Sequence, residues 1–178
     1  MRVADLHPRI QEFLNWCVTV GSVLLCTLTL LTRFPGMELL GVGPNWLLIW
    51  VVAWSLQRSP FQGALAGVCV GLIQDGFTSP IPTHTLSLAI AGILTARLQK
   101  QKYIQEDFIS VAMIVFGMAV VVETVMAIQF SIGVLMNRLP SSYFILTETW
   151  LYHQQVALSS AILSSLWAPV VYYPLSRW

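Results

Sequence analysis

Asp75 and Glu123 are acids set inside long apolar runs of a 178-residue chain. An ionised carboxylate deep in hydrocarbon costs several kcal/mol, so each must face a partner or water. No Lys or Arg falls within the same runs to pair with them. They could share one polar pocket, or each could take its own hydroxyl or backbone donor. Three uses stay open: a structural hydrogen bond that fixes helix packing, the handling of a cation or proton, and contact with a partner.

The other reactive side chains make no constellation. His7, His84 and His153 are scattered and lack metal-ligand spacing. His84 and His153 open apolar runs, where interfacial hydrogen bonding is expected. Cys17, Cys26 and Cys69 fall in apolar stretches and form no CxxC pair, so they read as buried thiols used as small hydrophobes. Ser159, Ser160, Ser164 and Ser165 accompany Ala157 and Ala161 on one helix, a spacing that marks helix packing rather than a nucleophile. There is no GxSxG, HxxxxD, HExxH or Walker sequence. No catalytic residue, metal site or cofactor is expected, and the chain reads as non-enzymatic.

The sharpest local pattern precedes Asp75. Gly63, Gly67 and Gly71 recur at every fourth residue, and Asp75 is the next step. Glycines at this spacing make a groove along one helix face, where another backbone can approach closely. The groove suits either packing within this protein or a partner's transmembrane helix.

The elements that carry these residues follow from composition. Hydrophobic residues make up 56% of the chain and charged ones 10%, whereas a soluble domain carries about a quarter charged. The apolar residues come in continuous blocks, as they do where lipid is the solvent. Strands of a barrel would alternate with a period of two. A helix needs roughly 20 apolar residues to cross the bilayer. The chain therefore reads as one all-α, polytopic membrane domain of six spans, at about 13–32, 39–57, 60–78, 83–98, 108–130 and 152–173. Gly41-Val42-Gly43-Pro44 interrupts the second span, so its regular part begins at Asn45. Ser79-Pro80-Ile81-Pro82 is a tight, uncharged turn. The fifth span can run on towards Met136, and the rest of the segment 131–151 reads as an apolar and aromatic loop along the membrane surface. The first run is too long for a signal-peptide core and reads as an uncleaved helix.

Basic residues set the expected direction. With the N-terminus inside, Arg2, Arg9, Arg58, Arg97, Lys100, Lys102 and Arg177 lie within, against Arg33 and Arg138 outside. Both termini are then cytoplasmic. Trp167, Tyr172, Tyr173 and Trp178 suit an inner aromatic belt, and Trp46 and Trp150 an outer one. A net charge of +1 without a basic run argues against nucleic acid as a partner.

Several stretches resemble one family. Pro44-Asn45-Trp46-Leu47-Leu48 leads into an apolar span with Trp54. Gly63-Ala64-Leu65-Ala66-Gly67 is followed by Gly71-Leu72-Ile73-Gln74-Asp75. Ser79-Pro80, the Leu86-Ser87-Leu88 run, Arg97, Glu123, and Trp167 with Pro169 continue the order. Together they resemble the rod shape-determining protein MreD family over nearly the whole chain. Pro82 stands where the family often has glycine, and the segment from Ser131 to Trp150 is longer than usual.

The resemblance implies a non-enzymatic protein of the bacterial inner membrane. It implies a place in the elongasome, the machinery of lateral peptidoglycan synthesis, with MreC, MreB filaments, RodA and its transpeptidase as partners. It also implies a six-helix fold similar to the substrate-binding components of energy-coupling-factor transporters. On that basis the chain is expected to dock a partner's transmembrane helix, most simply that of MreC, through Gly63, Gly67, Gly71 and Asp75. The competing expectation is a solute-binding transport component with a roomy polar pocket near Asp75 or Glu123.

Overall fold

The computed structural model describes residues 8–32, 36–78, 82–100, 108–136 and 143–176. Among these it contains six helices: α1 (Pro8–Leu31), α2 (Trp46–Ser55), α3 (Pro60–Thr78), α4 (His84–Lys100), α5 (Phe108–Leu135) and α6 (Tyr143–Ser176). By length and hydropathy, the stretches Arg9–Leu31, Phe108–Leu135 and Thr147–Ser176 are suited to cross a membrane. Large apolar side chains such as Phe13, Phe61, Ile109 and Leu166 point outward, as they must where the surrounding solvent is lipid. The chain is an all-α polytopic membrane protein.

α2 is the centre of the fold. It begins at Trp46, because the Asn45 side chain accepts from the Leu48 backbone N–H at 3.0 Å and caps it. Its ten residues give about 15 Å of helix, half the hydrocarbon thickness. Apolar on every side, it belongs in an interior. Leu47, Leu48, Ile49, Val51 and Val52 are fully buried, and each of the other five helices touches α2. The segment before it is not helical. Leu39 and Val42 exchange backbone hydrogen bonds across a turn whose central residues, Leu40 and Gly41, have φ of 54° and 79°. The expected span at 39–57 is thus a short buried helix behind a hairpin turn.

α3 starts with a reciprocal cap. The Gln62 side chain accepts from the Ser59 N–H at 3.2 Å, and the Gln62 N–H donates back to Ser59 Oγ at 3.4 Å. Pro60 occupies the first helical position, where its missing N–H costs nothing. α3 and α4 form one close pair, and α5 and α6 form another.

Two expectations are corrected. α5 continues to Leu135, as its apolar run allows, but α6 begins at Tyr143, so the part of the expected loop from 143 to 151 is helix. Polar residues such as Glu148 lower hydropathy without breaking a helix. The thiols also differ from expectation: Cys26 is buried, but Cys17 and Cys69 are exposed. The turn at Ser79-Pro80-Ile81, and Arg2, Arg33, Lys102, Arg138 and Arg177 of the orientation argument, lie outside the described residues.

Candidate functional site

The glycine stripe of α3 faces α4. A Cβ on Gly63 would sit 2.5 Å from the Gly92 carbonyl oxygen. One on Gly67 would fall 2.7 Å from Ala89 Cα, and one on Gly71 would fall 2.9 Å from the Thr85 nitrogen. Real side chains do not tolerate such contacts, so the two backbones meet directly. The face that the sequence left open to a partner or to internal packing is filled by α4. Gly92, the fourth glycine of this seam, had no stripe around it to mark it in the sequence. Its small neighbours Ala89 and Ala96 were the available sign.

Asp75 closes the seam at its end. Continuing the four-residue step brings its carboxylate to the first turn of α4. Oδ1 accepts from the backbone N–H of Thr83 at 3.2 Å and of His84 at 2.9 Å, and lies 2.8 Å from His84 Nδ1. Oδ2 accepts from the Thr85 N–H at 2.9 Å and from Thr85 Oγ1 at 2.6 Å. These five contacts replace the water shell that a carboxylate loses on burial. They also satisfy orphan amides of the α4 N-terminus, where the helix dipole favours negative charge. α5 joins the same place, since Gln129 Nε2 donates to the Thr83 carbonyl at 3.0 Å.

Glu123 is bound separately. His153 of α6 places Nδ1 2.9 Å from Glu123 Oε2, with both side chains largely buried. Trp150 Nε1 donates to Ser131 Oγ at 3.2 Å and ties the same two helices again. The two acids therefore do not share a donor; each has its own histidine. His84 and His153 were placed at span entrances by the sequence, but their acid partners were missed. The cavity beside Glu123 measures about 40 Å³, which holds water but not a metabolite-sized solute. That volume falls short of the roomy polar pocket that the transport reading expects. Among the described residues, no group of three or more His, Cys, Asp or Glu could hold a metal ion.

What the arrangement does is mechanical. Asp75 locks α3 to α4, Glu123 locks α5 to α6, and the glycine seam brings two backbones into contact. The sequence model for the rod shape-determining protein MreD matches residues 10–175. The chain belongs to the MreD family. The match covers all six helices, from early α1 to the end of α6, including the α3 seam and both acid–histidine pairs. Membership carries a role in determining rod shape, and MreD proteins are associated in general with the MreC and elongasome complex. MreD proteins form a structural membrane family not known for enzyme activity. No curated protein and no solved structure matches the chain.

Proposed function

We propose that this MreD-family chain is a non-enzymatic scaffold of the elongasome in the bacterial inner membrane, with both termini in the cytoplasm. It docks the transmembrane helix of MreC, and through that complex works with RodA, its transpeptidase and MreB filaments in lateral peptidoglycan synthesis. The observation that carries this reading is how the polar groups are used. Asp75 and Glu123 have internal partners, and the glycine face is covered by α4. What remains for another protein is the apolar outer surface, represented by Met113 and Ile128 on α5 and by Leu158 and Leu166 on α6. Van der Waals packing helps to drive helix association in lipid, and the exposed Gly117, one turn from Met113 on α5, gives a partner helix a place for close approach.

The test places a photo-crosslinking residue singly at Met113, Ile128, Leu158 and Leu166, with MreC co-expressed. Crosslinks to MreC along one stripe, and not on the opposite side, are expected. No crosslink at any position, with both proteins present in the membrane, overturns the reading. Labelling of cysteines introduced near the two ends, from the cytoplasmic side only, checks the direction.

A further inference from the structure

An apolar hollow in the described surface lies away from the glycine seam. α1 packs mainly on α2, which leaves a groove of about 390 Å³ between α1 and α3. Trp16, Val20 and Leu24 form one wall, and Leu65, Ala66 and Cys69 the other. Its floor is the α2 pair Trp50 and Trp54, stacked with ring centroids 5.9 Å apart. The Trp50 N–H donates to Ser22 Oγ at 2.8 Å, so its one polar atom is already used. The walls expose only apolar atoms.

One end of the groove is different. The Arg58 guanidinium lies over the Trp54 indole, 5.2 Å from the ring centroid. Arg9 stands seven residues before Trp16 on α1, hence on the same helix face about 10 Å further out. Both arginines are exposed, and neither forms an ion pair with any described residue. A guanidinium that lies over an indole face has N–H groups left to donate to a phosphate.

We propose that this groove holds an acyl chain of an anionic phospholipid, whose phosphate is bound by Arg58 and Arg9. Charge order selects the occupant. The groove offers cations at one end and only apolar atoms along its length, which is the order of a phospholipid's head and tail. A transmembrane helix packs closely through small residues, whereas the floor and rim here are Trp16, Trp50 and Trp54. The inference uses the proposed orientation for one point, that the lipid belongs to the cytoplasmic leaflet. The anionic lipids of that leaflet attract basic groups near its surface.

The test uses the purified chain without partners. Native mass spectrometry compares retention of phosphatidylglycerol and phosphatidylcholine with identical acyl chains. Wild type is expected to keep phosphatidylglycerol several-fold better. Arg58→Gln and Arg9→Gln should each lower that preference, while Arg97→Gln, which removes a charge from α4, should leave it intact. Groove-filling Ala66→Phe should lower phosphatidylglycerol retention. If that chain fails to fold, phosphatidylglycerol with a photoactivatable acyl chain, which should label Leu65, Cys69 or Trp16 of wild type, tests the groove instead. Equal retention of the two lipids, an Arg97→Gln effect as large as that of Arg58→Gln, or labelling elsewhere overturns it. So does a partner helix that crosslinks to Cys69 and excludes the lipid. Because no MreC is present in the lipid measurement, its failure leaves the scaffold reading standing.

Discussion

Gly63 and Gly92 stand back to back across the α3–α4 seam, and each backbone occupies the space where the other's side chain would be. A Cβ on Gly63 would lie 2.5 Å from the Gly92 carbonyl oxygen, and one on Gly92 would meet the Gly63 carbonyl in turn. The relationship is reciprocal, so the seam cannot be relieved by moving a flexible side chain. It brings Cα–H groups and carbonyls of two helices within mutual reach.

Alanine at Gly63 or Gly92 is therefore expected to lower stability by about 1–3 kcal/mol, the usual cost of overpacking. Gly67→Leu should prevent accumulation of folded protein. Gly117 has nothing within 4 Å of an added Cβ, and Gly117→Ala should melt like wild type. Thermal unfolding in detergent reads all of these. A wild-type melting temperature for Gly92→Ala would refute the seam. Loss of MreC binding in Gly67→Leu would report a broken fold before it reported a docking surface.

The sequence made the α3 half of this seam visible and hid the α4 half. Three glycines and an aspartate at constant spacing announce a face. A single Gly92 among alanines does not, because small residues are common in any membrane helix. Hydropathy marked where lipid begins but not where helices end. Asn45 was legible as the start of α2 because Gly-Val-Gly-Pro precedes it, whereas Glu148 and its neighbours hid the first turns of α6. Glu123 and His153 lie on different helices, 30 residues apart. Their contact depends on how α5 and α6 pack, which no local pattern records.

Asp75→Asn should cost about 1–3 kcal/mol, because an amide has one acceptor oxygen and turns an N–H₂ towards donors. The Thr85 N–H and hydroxyl, or the Thr83 and His84 amides, then lose their acceptor. Thr85→Val removes one donor and should cost about 1 kcal/mol. If Asp75 instead held a mobile cation, Asp75→Asn would spare stability and change only the response to added cations. Melting curves with and without monovalent salts separate the two outcomes.

Glu123 and His153 invite a double-mutant cycle. Glu123→Gln and His153→Ala should each destabilise the α5–α6 pair, and the double variant should lose less than their sum. A coupling on the order of 1 kcal/mol fits a largely buried side-chain hydrogen bond. Strict additivity would mean that the 2.9 Å contact contributes nothing to holding the two helices together.

The beginning of α2 gives the last prediction, and it concerns how a ten-residue helix survives at the centre of a membrane protein. Asn45 acts there in two ways. Its side chain accepts from the Leu48 N–H, and its own backbone N–H donates to Ser164 Oγ of α6 at 2.9 Å. The first bond is a cap that aspartate can reproduce, so Asn45→Asp should preserve it while Asn45→Ala loses about 1 kcal/mol. The second bond does not involve the Asn45 side chain at all. Ser164→Ala should strand a backbone donor beside a fully buried position and cost about 1–3 kcal/mol, with no rescue by any residue at position 45. Hydrogen exchange distinguishes the two: Asn45→Ala should speed exchange first at Leu48, and Ser164→Ala first at Asn45 itself. If Asn45→Asp and Asn45→Ala behaved alike, α2 would be held by its surrounding helices alone and the cap would be incidental.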